Sequence, residues 1–159
     1  MADAKLTSLL YLERDGKYLM LHRVKREHDE NAGKWIGVGG KFEEGESPEE
    51  CVIREAREET GLTVSSPVPR GIVTFVSDRF GTQYMHLFTA DRFTGTLRDC
   101  DEGELAWIDR SRVPTLPLWE GDRIFLRLLS EGAPFFLLKL TYEGDTLTRA
   151  ALNGRELEI

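Results

Sequence analysis

The stretch from Ser47 to Gly61 constrains its own fold more tightly than any other part of the chain. Ser47 is an N-cap residue type, Pro48 takes the first helical position, and Glu50 stands three residues after the cap, as a capping box requires. Gly61 supplies a left-handed stop, so the spacing predicts a helix from Ser47 to about Thr60. The same region carries nearly all the charge. Residues 43–59 hold eight acids and two bases, a net −6, against −7 for the whole chain of 159 residues. The acids are interleaved with apolar residues, so they are not a solvated tail.

Around that helix the patterning is largely β. Lys5–Glu13 and Lys17–Arg23 read as strands joined by an Asp15-Gly16 turn, and residues 24–34 read as a polar surface loop. Trp35–Val38 reads as a short strand, then Gly39-Gly40, with Lys41–Phe42 extended. Further strands are predicted at Leu62–Val64, Gly71–Ser77, Gln83–Phe93 and Leu105–Ile108, with Pro67 and Pro69 as breaks and Asp78–Gly81 as a turn. Trp119–Glu131 has helical spacing and ends at Gly132, and a final hairpin joins Pro134–Tyr142 to Thr146–Ala151. Two helices against a mixed sheet give an α+β layered domain.

Composition excludes several classes. With 40% apolar residues the chain can bury one core, and 1–159 is expected to be a single domain. No apolar run approaches the roughly 18 residues of a membrane span, and residues 1–15 lack a signal pattern. A remainder of net −1 outside the acidic block argues against stable nucleic-acid binding. Cys51 and Cys100 are too few for a disulfide scaffold, so a reduced, cytoplasmic setting is expected. Monomer and homodimer are equally compatible with the sequence.

On a helix, Glu55, Glu58 and Glu59 fall within an arc of about 100°. Three like charges on one stripe repel, and at a helix C-terminus they also oppose the dipole. A divalent cation relieves both, and hard oxygen ligands favour Mg²⁺ or Mn²⁺, which commonly serve phosphate substrates. Just upstream, Gly37-Val38-Gly39-Gly40-Lys41 lets the backbone approach a ligand, although it lacks the spacing of a P-loop. Arg54 can orient a carboxylate by a forked hydrogen bond.

Gly40, five residues, Glu46, seven residues and then Arg54-Glu55-Ala56-Arg57-Glu58-Glu59-Thr60-Gly61-Leu62 resembles the Nudix box, residues 40–62, at every defined position. The resemblance implies a Nudix fold, an α/β/α sandwich with a mixed sheet, and hydrolysis of a nucleoside diphosphate linked to another group. It implies metal ligation by Glu55, Glu58 and Glu59 with the Gly39 carbonyl, orientation of the carboxylates by Arg54, and loop–helix geometry held by Gly40, Glu46 and Gly61. Gly33-Lys34-Trp35 and the glycine run that follows are similar to the MutT-type branch, which removes oxidised purine nucleotides. Trp119-Glu120-Gly121-Asp122 is similar to the base-recognition segment of the mammalian-type 8-oxo-dGTP diphosphatase. By that match Trp119 stacks on a purine, Asp122 bonds its edge, and Gly40 and Lys41 border the phosphates. Glu102 falls where such enzymes carry another carboxylate, with Glu104 as its substitute if the loop shifts. Two positions depart from the mammalian type, which has aspartate at Gly121 and asparagine at Ile36.

The resemblance therefore implies a nucleoside triphosphate cleaved to monophosphate and pyrophosphate, with Glu58 or Glu102 as general base. Rivals are a pyrophosphatase of ADP-ribose or another nucleoside diphosphate derivative, and a nucleotide-sensing module without turnover. Ser77 stands where the first usually has proline, and Arg79 and Phe80 stand where dinucleoside-polyphosphate hydrolases carry tyrosine. Sensing modules commonly lose box carboxylates, whereas all three are present here. His22, His28, His86 and both cysteines lack ligand spacing. Trp107, Phe75, Phe88, Phe125, Phe135 and Phe136 are expected in the core.

Overall fold

A computed structural model describes residues 3–25 and 29–159; His28 lies outside them. The chain forms β1 (Lys5–Arg14), β2 (Lys17–His22), β3 (Trp35–Ile36), β4 (Val38–Lys41) and then α1 (Pro48–Thr60). There follow β5 (Thr63–Val64), β6 (Val68–Ser77), β7 (Gly81–Ala90), β8 (Phe93–Thr94) and β9 (Glu104–Asp109). A 3₁₀ turn (Val113–Thr115), α2 (Asp122–Ser130), β10 (Phe136–Glu143), β11 (Thr146–Leu152) and β12 (Arg155–Glu156) complete it.

β1 is the pivot, buried from Thr7 through Leu12. It runs parallel to β7 along one edge, antiparallel to β4 over Thr7–Leu10 on the other, and its last two residues pair with β2. Beyond β7 the sheet continues through β6, β10, β11 and β12, with β6 and β10 parallel; β2 in turn carries β9 and β3. Because a strand's side chains alternate, β1 feeds two cores. Leu9 and Tyr11 point into the cluster that contains Phe125 and Leu126 of α2, whereas Leu10 and Leu12 join Val52 and Ala56 of α1. Each buried leucine contributes roughly 1.5–3 kcal/mol, and neither helix could bury its face without the sheet between them. The mixed-sheet α+β sandwich expected from the sequence is the fold observed.

Several local expectations are corrected. Trp35–Val38 is not one strand: the chain changes partners at Gly37, from β2 to β1, and a Cβ there would lie 2.5 Å from the Leu10 carbonyl oxygen. Pro69 does not break β6. Pairing with β10 begins only at Gly71, so Pro69 sits where β6 is free on that side, and the register shifts between Pro69 and Gly71. Gln83–Phe93 ends early at Ala90; Phe93 and Thr94 turn away to pair with Thr63 and Val64. Trp119 precedes α2 instead of opening it. Phe135 is exposed, since it lies just before β10 and Phe136 takes the inward position. Trp107 is half-buried and stacks on Phe93 at 5.8 Å. No helix among the described residues is long and apolar enough to cross a membrane.

Candidate active site

Both ends of α1 are tied as the sequence predicts. The Glu50 amide donates to Ser47 Oγ at 3.1 Å and the Ser47 amide to Glu50 Oε1 at 3.0 Å, while Gly61 adopts φ +81°. The acidic C-terminal turn has a further partner. Arg98 donates from Nη2 to the carbonyls of Arg57 (3.0 Å) and Glu58 (2.6 Å), and its amide donates to the Thr60 carbonyl at 2.9 Å. A cation on the exposed carbonyls offsets the unfavourable placement of Glu58 and Glu59.

α1 lies against β4, and the glycines of β4 make that contact close. A Cβ at Gly40 would sit 2.6 Å from the Glu55 carboxyl carbon, and one at Gly39 would overlap the Ser8 carbonyl. The Gly39 amide donates to Glu59 Oε2 at 2.8 Å. Burial pushes Glu59 well above the usual carboxylate range, the charge of Glu102 adds to this, and the Gly39 amide opposes it. Burial likewise raises Glu55.

Arg54 organises the rest. Its Nε and Nη2 fork onto Glu46 at 2.7 and 2.9 Å, Nη2 also reaches the Lys41 carbonyl (3.0 Å), and Nη1 reaches Glu55 (2.8 Å) and Glu58 (3.2 Å). The fork, followed by the Glu43 backbone, holds Glu46 down to about 2. One guanidinium thus joins the loop, through Lys41 and Glu46, to two of the helix carboxylates, a geometry that a lysine could not reproduce.

A cavity of about 510 Å³ opens over this arrangement. Arg54, Glu55 and Glu102 stand on its wall with Gly39, Gly40 and Lys41; Trp119 and Asp122 line it as well. Glu46, Glu58, Glu59 and Gly61 do not: Glu59 lies behind Gly39, and the Glu58 side chain is 58% exposed and turned to Arg54. Glu104 is exposed on β9 and does not line it either.

Trp119 is buried in the core and also borders the cavity. Its ring packs nearly perpendicular to Phe75 (5.2 Å) and Tyr142 (5.0 Å), and the residue is only 4% exposed. Its indole N–H donates to Asn31 Oδ1 at 2.8 Å, and the Lys34 ammonium sits 4.2 Å from the ring centre. Asp122 is pushed up to about 8 by burial, against the opposing pull of Arg123 and Lys34. Burial thus favours its neutral form, which can donate a hydrogen bond. Gly121 has no room for a side chain, because a Cβ would lie 2.7 Å from the Tyr142 hydroxyl and crowd Leu140; the aspartate of the mammalian type does not fit here.

Sequence reasoning missed the residues that brace the far wall. Arg23 donates to Asp29 (2.6 Å) and to Glu102 (2.9 Å), Gln83 donates to Glu30 (2.9 Å), and Asn31 holds Trp119. Four of these lie at or inside the segment read as a plain surface loop, and only the polar composition of that segment hinted at them. His22 stacks on Trp35 at 4.4 Å and His86 contacts the Thr7 carbonyl at 3.1 Å; both serve packing.

A divalent ion suits this donor set in charge and type. Glu55 and Glu59 are raised by burial and feel the charge of Glu102, so three carboxyl groups gather here, with Arg54 and Arg23 as cationic partners of two of them. Among the described residues no group of three His, Cys, Asp or Glu side chains already stands in ligand geometry, and Glu58 would have to leave Arg54 to join one.

The NUDIX domain model matches residues 6–129. The chain belongs to the NUDIX family. As a Nudix hydrolase it is 35% identical over 136 residues to an uncharacterized Nudix hydrolase of Bacillus subtilis, YvcI, with 82% of each chain covered. It is 32% identical over 138 residues to the oxidized purine nucleoside triphosphate hydrolase of Danio rerio, with 85% of each covered. The crystal structure of a MutT protein from Bacillus halodurans superposes with a TM-score of 0.84 at 27% identity, covering 94% of this chain and 97% of that one. Nudix hydrolases generally use divalent metal ions.

Proposed function

We propose that this Nudix hydrolase cleaves oxidised purine nucleoside triphosphates, foremost 8-oxo-dGTP to 8-oxo-dGMP and pyrophosphate, and so removes damaged precursors from the nucleotide pool. The observation that carries the reading is one cavity lined by two unlike groups of residues. Glu55, Glu102 and Arg54 line it from the box side, and Trp119 and the buried Asp122 line it from the segment that leads into α2. Trp119 borders the cavity, where an aromatic ring can pack against a base. A buried neutral carboxyl donates to a ring nitrogen or carbonyl oxygen, as an ionised one cannot. The likeness to the Danio rerio enzyme supports the same substrate class.

Mg²⁺, or Mn²⁺ in its place, would be held by Glu55, Glu58 and Glu59 with the Gly39 carbonyl. Such an ion neutralises phosphate oxygens and lowers the pKa of bound water. Arg54 keeps Glu55 and the Gly40–Lys41 backbone in fixed relation, so the polyphosphate meets a preset floor. Of the two candidate bases, Glu102 lines the cavity and Glu58 does not, which favours Glu102 as acceptor of the water proton. Arg23, which lines the same cavity, donates to the Glu102 carboxylate at 2.9 Å.

The test is a product-resolved comparison of kcat/KM for 8-oxo-dGTP, dGTP, CTP, ADP-ribose and a dinucleoside polyphosphate with Mg²⁺. At least a tenfold preference for 8-oxo-dGTP, with Trp119→Ala raising KM more than it lowers kcat, is the expected result. A preference for ADP-ribose or CTP would discard the base pocket while keeping the Nudix chemistry. Binding without turnover of any compound would make the chain a sensor.

A further inference from the structure

A second cavity, also about 510 Å³, opens where α2 meets the 3₁₀ turn and the end of β9. It shares no lining residue with the first among the described residues, and its chemistry is the reverse. The catalytic cavity is bordered by six acids, among them Glu55, Glu102 and Asp122. No carboxylate lines the second cavity among the described residues, although the chain as a whole carries −7. Three arginines do, Arg110, Arg123 and Arg127, together with Ser111 and Ser130, whose hydroxyl donates to the Arg127 carbonyl at 2.8 Å.

Arg123 is the fixed member. It donates from Nε to the Pro114 carbonyl and from Nη2 to the Leu116 carbonyl, both at 2.9 Å. These acceptors are neutral, so the guanidinium is aimed without being discharged, and it makes no ion pair with an acid among the described residues. Arg110 shares its charge with Glu13 at 2.6 Å and lies 5.8 Å from the centre of the Tyr18 ring. Arg127 reaches Glu131 at 3.4 Å with its side chain 80% exposed. Three cations face two acids, and both acids lie outside the cavity lining. Between the arginines the floor is apolar, formed by Val113, Leu126 and the Tyr18 ring, all buried.

We infer that this cavity is a second ligand site, built for a small amphiphilic anion: a phosphate or carboxylate group carried on a flat apolar body. A planar guanidinium fork matches either oxyanion with two parallel hydrogen bonds. Three arginines against two paired acids leave an excess of one positive charge beside the cavity, and the floor accepts the apolar part in a volume typical of small-ligand sites. Three arginines around a hollow form a point of recognition and not a stripe along which a nucleic-acid backbone could run.

Methyl-resolved NMR of the metal-free protein tests this site directly, with phenyl phosphate, benzoate and inorganic phosphate as probes. The methyls of Val113 and Leu126 report this cavity, and those of Leu9 and Met85 report the catalytic one. Phenyl phosphate or benzoate is expected to shift Val113 and Leu126 saturably in the millimolar range, the tighter of the two identifying the preferred anion. Inorganic phosphate should bind about fivefold or more weakly, and Arg127→Glu should weaken the preferred probe by about tenfold or more. Arg127 is exposed, so that variant should fold; Arg110→Gln is the second variant, with the same expected direction. No saturable shift at Val113 and Leu126 up to about 20 mM probe would overturn the site. So would equal affinity for inorganic phosphate, or unchanged affinity in both variants.

Discussion

Asp122 is an acid that the fold holds close to its neutral form, which makes it a direct test of the pocket's electrostatics. Burial raises it to about 8, whereas an aspartate in the unfolded chain titrates near 3.9. The folded state thus keeps a proton that the unfolded state releases. The stability associated with that proton is fully present below about pH 4, falls by about 1.4 kcal/mol per pH unit, and is lost once pH passes about 8. At pH 7 the loss reaches about 4 kcal/mol, or about half that if water enters when the group ionises. Asp122→Asn keeps the shape and removes the titration. The difference in unfolding free energy between variant and parent, measured by urea denaturation from pH 5 to pH 8.5, should therefore widen in favour of the variant as pH rises. Arg123 and Lys34 pull on Asp122, while Tyr11 and Tyr142 both lie near enough to feel its charge. The pull of the two cations is already part of the Asp122 shift, and both tyrosines are themselves raised by burial, so the titration that the substitution removes is that of Asp122. Parallel curves would mean that Asp122 ionises freely, and its role as a donor to a base would fall with that result.

Gly121→Asp should lower the melting temperature by roughly 3–10 °C, because overpacking against Leu140 and Tyr142 costs about 1–3 kcal/mol; a melt unchanged within 1 °C or so would mean that the segment moves aside. Arg54→Lys should reduce kcat/KM by about tenfold or more, since an ammonium cannot span Glu46, Glu55 and the Lys41 carbonyl together; near-normal kinetics would reduce Arg54 to a counter-charge. Arg98→Ala should destabilise the fold by about 1 kcal/mol and weaken Mn²⁺ binding measured by electron paramagnetic resonance, with Arg98→Lys recovering part of both. Mn²⁺ affinity equal to that of the parent would confine Arg98 to a stabilising role.

What the sequence discloses and what it conceals differ in the range of the interactions involved. α1 was legible to the residue because Ser47, Pro48, Glu50 and Gly61 act on backbone atoms a few positions away. The three carboxylates were legible because helical periodicity alone puts them on one stripe. The partner of Glu102 was not, since Arg23 lies 79 residues earlier in a segment with no periodicity. Asn31 was hidden for the same reason, its bond to Trp119 closing a separation of 88 residues. Pro69 misled because a proline's missing N–H matters only on a side where a neighbouring strand needs it, and strand order is a property of the whole sheet. Phe135 misled in a simpler way: two adjacent phenylalanines cannot both face inward at the entrance to a strand.

Like charges gathered at a helix C-terminus would ordinarily shorten that helix, yet α1 runs without interruption to Thr60. Arg98 neutralises the exposed carbonyls from outside, Arg54 spreads one positive charge over Glu46, Glu55 and Glu58, and the Gly39 amide points at Glu59. None of these removes the repulsion between Glu59 and Glu102, which is why burial and that neighbour together hold Glu59 so far above its ordinary range. The supports thus hold the backbone while Glu55, Glu59 and Glu102 still repel one another beside Arg54 and Arg23. Such an arrangement is costly in isolation and becomes favourable when a cation is shared among the acids, because anything that binds only the folded state stabilises it by mass action. Arg54 alone bonds both to the carboxylates and to the loop that floors the cavity, so movement of Glu58 away from it toward an ion would leave the Glu46 fork and the Lys41 contact in place. The side chain that has to move is the exposed one, and those that must stay fixed are half-buried.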